Sequence, residues 1–73
     1  MNDMKDIIAP LSGKIIEIRV KPGDMVKVDQ VVVILEAMKM DNELMAEYAG
    51  VVTSVNITEG DFVSFGTSLV SIE

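Results

Sequence analysis

Histidine and cysteine are both absent from the chain, which removes the commonest general base near neutral pH, the commonest transition-metal ligand and any thiolate. An enzyme built on this sequence would depend on carboxylates, lysine, serine or Tyr48. The carboxylates from residue 24 to residue 61 are dispersed as Asp24, Asp29, Glu36, Asp41, Glu43, Glu47, Glu59 and Asp61, without the close acidic spacing of a calcium loop, so neither a catalytic residue nor a metal site is expected. One segment stands apart: Leu35-Glu36-Ala37-Met38-Lys39-Met40-Asp41, where a strongly β stretch meets a polar one. It reads as a hairpin over 37–41 but lacks the Asn-Gly or Asp-Gly pair that hairpins prefer. If the turn requires φ > 0 at Met38 or Lys39, the strain is on the order of 1 kcal/mol or more. Residues at such a tip serve something other than turn formation, and the chemistry on offer is that of the Lys39 amine.

The elements that hold this tip follow from an internal repeat. Ala9 to Glu36 aligns with Ala46 to Glu73 without gaps at a constant offset of 37. Identical pairs include Ala9 with Ala46, Gly13 with Gly50, Gly23 with Gly60, Asp24 with Asp61, Val33 with Val70, and Glu36 with Glu73. Two copies are too few for a solenoid, so the repeat implies one core shared by two half-sheets about a pseudo-twofold axis. After Gly13 and after Gly50, apolar residues fall at steps that break strict alternation (Ile15, Ile18, Val20; Val52, Val55, Ile57), which predicts a β-bulge in each half. Lys21-Pro22-Gly23-Asp24 and Thr58-Glu59-Gly60-Asp61 read as matched tight turns of the same shape. No helical stripe is present; only Glu43 to Ala46 would tolerate a helix. Strands are expected at Ile7–Ala9, Lys14–Val20, Met25–Val26, Val31–Glu36, Asp41–Met45, Val51–Ile57, Phe62–Val63 and Ser68–Ile72, making an all-β sandwich or flattened barrel. The 73 residues, 49% of them apolar, suit one domain over 1–73 that folds alone.

Glu36-Ala37-Met38-Lys39-Met40 resembles the attachment motif of biotinyl domains, the carrier modules of biotin-dependent carboxylases, decarboxylases and transcarboxylases. The resemblance covers nearly the whole chain, including the repeat, the two Gly-Asp turns and the lysine between the halves. It implies a flattened β-barrel (a barrel-sandwich hybrid) of two four-stranded antiparallel sheets, with biotin held as an amide on Lys39 at an exposed hairpin tip. It further implies that Ala37, Met38 and Met40 form the motif read by the biotin protein ligase and partner enzymes. Glu36 is either part of that recognition or a strand-end charge like its repeat partner Glu73. Related lipoyl domains place Asp before the modified lysine and Ala after it, so Met38 and Met40 favour biotin over lipoate. The chain departs from the pattern at Glu47, where Pro is common, and at Asp29, where Gly is common.

On this resemblance the chain is a carrier and not an enzyme. A ligase supplies biotin as an acyl-adenylate for attack by the Lys39 amine, and the ligase must take the proton, since the chain has no histidine. A biotin carboxylase then loads the cofactor and a carboxyltransferase or decarboxylase unloads it, tethering supplying the effective concentration. The alternatives are a lipoyl-type acyl carrier and an unmodified barrel-sandwich interaction module. A net charge of −6 argues against a nucleic-acid partner. The longest apolar run, Val31 to Leu35, is far short of a membrane span, and Met1-Asn2-Asp3 do not open a leader. A cytoplasmic domain, monomeric in isolation, is expected.

Overall fold

The computed structural model describes residues 4–73; Met1 to Asp3 lie outside the described residues. Eight strands succeed one another: β1 (Lys5–Ile8), β2 (Gly13–Ile18), β3 (Met25–Val26), β4 (Val31–Ala37), β5 (Met40–Met45), β6 (Gly50–Val55), β7 (Phe62–Val63) and β8 (Ser68–Ile72). They form two four-stranded antiparallel sheets, ordered β1-β8-β6-β3 and β5-β4-β2-β7. Shifting every element of the first sheet by the repeat offset turns it into the second, β8 into β4 and β6 into β2. The repeat is therefore the symmetry of the fold.

The two expected bulges are present. The β2/β4 register slips between Ile15 and Glu17, and the β6/β8 register slips between Val52 and Ser54. Each slip lets both flanking apolar residues turn inward: Ile15 and Val52 are buried, with Ile18 and Val55 packed against the core. The two Gly-Asp turns also match. Gly23 and Gly60 share a φ of 96°, a left-handed conformation that glycine adopts without steric cost. The Asp24 N–H donates to the Lys21 carbonyl (3.1 Å) and the Asp61 N–H to that of Thr58 (3.0 Å). The Asp24 and Asp61 carboxylates accept from the Lys21 and Thr58 N–H groups at 3.0 and 2.9 Å.

A second pair of turns was not foreseen as a pair. Gln30 N–H to Lys27 C=O (3.1 Å) and Thr67 N–H to Ser64 C=O (3.0 Å) close equivalent turns, with left-handed residues Asp29 (φ 72°) and Gly66 (φ 89°) at matching positions. The departure noted at Asp29 thus falls where the backbone wants glycine, and aspartate is among the few other residues that tolerate it. Differences from the expected strands are confined to ends. β4 runs on to Ala37 and β5 starts at Met40, so the hairpin loop has two residues, Met38 and Lys39, while β2 and β6 stop at Ile18 and Val55. Glu43 to Ala46, the helix-tolerant stretch, completes β5 and the bend after it; pairing with β4 overrides local propensity.

The core is aliphatic, centred on Ile15, Val26, Val32, Val33, Leu35, Val52, Leu69, Val70 and Ile72. Val33 and Val70 are repeat mates and both are fully buried. Val33→Ala and Val70→Ala should each lower stability by about 1–3 kcal/mol, the loss expected for methyl groups removed from a packed core. Urea melts of the two variants should give similar midpoints; a difference of several-fold in the penalties would show that the halves do not share the core equally.

Candidate functional site

The β4–β5 hairpin carries the candidate site residues 36–40. Its ladder runs Val31↔Met45, Val33↔Leu44, Ile34↔Glu43, Leu35↔Asn42, Glu36↔Asp41 and Ala37↔Met40. Met38 and Lys39 bridge the last pair with φ of 55° and 62°, the twist of a type I′ turn, which normally selects Asn and Gly. Both residues therefore sit in the left-handed region without the side chains that favour it, at a cost on the order of 1 kcal/mol or more each.

Three neighbours stabilise the turn. The Asn42 side-chain amide donates to the Leu35 carbonyl (3.3 Å) and to the Met40 carbonyl (3.2 Å), bracing both strands just below the tip. Ala37 is buried to 7% exposure; it supports the turn from beneath instead of presenting a surface. Gly13, in β2, permits the close approach of β2 and β4, because a Cβ there would collide with the Glu36 carbonyl oxygen. The repeat reproduces that constraint, a Cβ at Gly50 meeting the Glu73 carbonyl oxygen at 2.6 Å.

The remaining motif residues are presented to solvent. Met38 is 90% exposed and Met40 69%, and Lys39 and Glu36 are exposed as well. Register places Asp41, Glu36, Lys14 and Phe62 in one row across β5, β4, β2 and β7, one residue below the tip. Phe62, 81% exposed, is brought near the tip by this row. Its nearness to the tip comes from pairing across β2, which no local pattern encodes. The Asn42 brace was likewise unmarked, since it depends on carbonyls of two strands.

The groove described below is lined by residues other than Lys39. Among the described residues, no acidic residues gather into a group able to hold a metal and no helix is long and apolar enough to cross a membrane. The ion pair among the described residues, Arg19 with Glu17 at 3.3 Å, lies away from the tip. Lys39 is exposed, so its amine is accessible for modification from solvent.

This architecture is that of a known family. Residues 5–72 match the biotin/lipoyl family described as "Biotin-requiring enzyme", and the chain belongs to it. It is 42% identical over 64 residues to the biotin carboxyl carrier protein of Streptococcus mutans, spanning 88% of this chain and 49% of that protein, so it covers about half of that relative's length. It superposes on a single-chain, multi-domain long-chain acyl-CoA carboxylase with a TM-score of 0.86 and 31% identity, covering 93% of this chain and 7% of that one. The lipoyl domain of the 2-oxoglutarate dehydrogenase complex from Azotobacter vinelandii gives a TM-score of 0.79 and 34% identity, with 93% and 94% covered.

Gly13→Ala should force β2 and β4 apart directly beneath the tip and lower stability by about 1–3 kcal/mol, as overpacking does. Thermal melts should show the loss, and amide hydrogen exchange should quicken at Glu36 and Ala37 before the rest of the sheet.

Proposed function

We propose that residues 1–73 form a single biotin carrier domain of a biotin-dependent carboxylase, decarboxylase or transcarboxylase, with biotin attached through an amide to Nζ of Lys39. The observation that carries the reading is the placement of Lys39 at the outer end of a two-residue, left-handed turn between two exposed methionines. The other lysines differ in setting: Lys5 lies over the Tyr48 ring at 4.6 Å, Lys14 is half-buried within a strand, and Lys21 and Lys27 belong to the tight turns.

When attached, biotin supplies a ureido nitrogen that can accept and release a carboxyl group. The domain's own part is mechanical. The hairpin ladder and the Asn42 brace hold Lys39 at an exposed turn beyond the paired strands. That turn can thus enter an active-site cleft while the sandwich stays outside. Met38 and Met40 offer soft, adaptable apolar contacts to a ligase or to a visited enzyme, and Glu36 adds a charge in the row beneath. Neither histidine nor cysteine is available to move a proton at Lys39, so deprotonation falls to the ligase. The biotin protein ligase, a biotin carboxylase and a carboxyltransferase or decarboxylase are the partners this reading requires. Within it the domain is cytoplasmic and monomeric when separated from them.

Likeness to a lipoyl domain favours one further reading, a lipoyl-type acyl carrier on the same lysine. The two are separable by mass. Co-expression with a biotin ligase should add one biotin, peptide mapping should assign it to Lys39, and Lys39→Arg should abolish it; label persisting in that variant would refute the assignment. Replacing Met38 with Asp and Met40 with Ala should lower biotin incorporation and raise lipoate incorporation when each ligase is supplied in turn, with the circular dichroism spectrum unchanged. Equal biotinylation of the double variant would move the discrimination elsewhere.

A further inference from the structure

A groove of about 530 Å³ runs between the edge strands β1 and β5, where the two sheets meet at one side of the sandwich. Its walls are repeat mates: Ile7 with Leu44, Ile8 with Met45, and Ala9 with Ala46, so it lies across the pseudo-twofold axis at the waist of the molecule. Ile7, Leu44, Ala9 and Ala46 are buried and form its floor, whereas Ile8 and Met45 are about half exposed and Phe65 is 72% exposed at its rim. Exposed apolar side chains scattered singly are ordinary, but three bordering one groove mark an interaction surface.

Two properties identify the occupant. Among the described residues, β1 pairs with β8 alone and β5 with β4 alone, so each strand has one side of its backbone unpaired toward the opening, and an extended segment can add to it as another strand. The groove is also lined by Asp29, Glu43 and Glu47 and by no Lys or Arg. A second copy of a chain with net charge −6 would be repelled, whereas a cationic segment is attracted. We propose that this groove docks an extended segment of a partner protein in which apolar residues alternate with Lys or Arg. The proposal rests on the carrier reading above for its purpose. Met45 is roughly 17 Å along β5 from Met40 at the usual rise per residue, so a partner gripping the waist leaves the Lys39 tip uncovered and free to visit other sites.

The test is an NMR titration of the ¹⁵N-labelled chain with the peptide acetyl-Val-Lys-Val-Lys-Val-Lys-Val-amide. Shift changes should cluster at Ile8, Ala9, Met45, Ala46 and Glu47 and leave Met38 and Lys39 unmoved. The same peptide with Glu for Lys should not bind. Glu43→Gln combined with Glu47→Gln should weaken binding about fivefold or more, while Glu36→Gln combined with Asp41→Asn, an equal charge change near the tip, should leave it unaltered. Changes spread over Asp24, Glu59 and Asp61, an unaffected groove variant, or no shift at millimolar peptide would each overturn the proposal. Biotin transfer to Lys39, followed by intact mass on the same samples, reports separately on the carrier reading, so loss of one is not mistaken for loss of the other.

Discussion

Each half of the chain closes the other half's sheet, and the closure is a reciprocal pair of backbone hydrogen bonds. The Ile15 N–H donates to the Asp61 carbonyl and the Gly60 N–H to the Ile15 carbonyl, both at 2.8 Å; the Val52 N–H donates to the Asp24 carbonyl and the Gly23 N–H to the Val52 carbonyl, again at 2.8 Å. Ile15 and Val52 are the residues at which the register slips. These bonds are the next rungs of the β2/β7 and β6/β3 ladders, on the side of Ile15 and Val52 away from the slipped register. The Gly-Asp turn of each half thus satisfies backbone groups of the other half that would otherwise lack partners. Each central strand therefore needs a turn from the other copy.

That exchange supports the strained tip. Met38 and Lys39 hold left-handed conformations that would not persist in an isolated hairpin of this sequence, since two-stranded hairpins are marginal even with favourable turns. They persist because β4 is a central strand, paired on one side with β5 and on the other with β2, and because β2 is fixed in turn by its bulge and the Gly60 turn. Gly13 lies where this chain of support reaches the hairpin, and the space it leaves lets the Glu36 backbone sit close against β2. The cost at the tip is local, and the structure that compensates for it is distributed through both copies.

Much of this was legible in the sequence because duplication writes every structural requirement twice. The steps after Gly13 and Gly50 located both bulges, and the repeated Gly-Asp pairs located both turns. All eight strands lay where alternation and β-branching put them, with ends displaced by a residue or two as end fraying and short pairing allow. The Ala37-to-Met40 loop closed one residue tighter on each side than its sequence suggested, because cross-strand pairing of Ala37 with Met40 outweighs local preference. Three features stayed hidden. The Asn42 brace depends on carbonyls of two strands, Phe62 is exposed near the tip only because β7 pairs with β2 at the sheet edge, and the waist groove joins residues 7–10 to residues 43–47, a juxtaposition no local pattern encodes.

The likeness to a lipoyl domain constrains where cofactor identity can be written. A TM-score of 0.79 across nearly the full length of both chains means that the overall backbone is shared, so on the carrier reading the fold by itself does not tell a ligase which acyl group to attach. The Lys39 side chain is open to solvent. On the carrier reading, the distinction must therefore lie in side chains that a ligase can touch, and those at the tip are Met38 and Met40, with Glu36, Asp41 and Phe62 in the row below. Two flexible thioethers contribute adaptable apolar contact, whereas an Asp at the position of Met38 would bring a charge that must stay solvated or find a partner. A ligase surface built to desolvate methionine is penalised by that carboxylate, so on this reading the exposed pair is where such a ligase would discriminate.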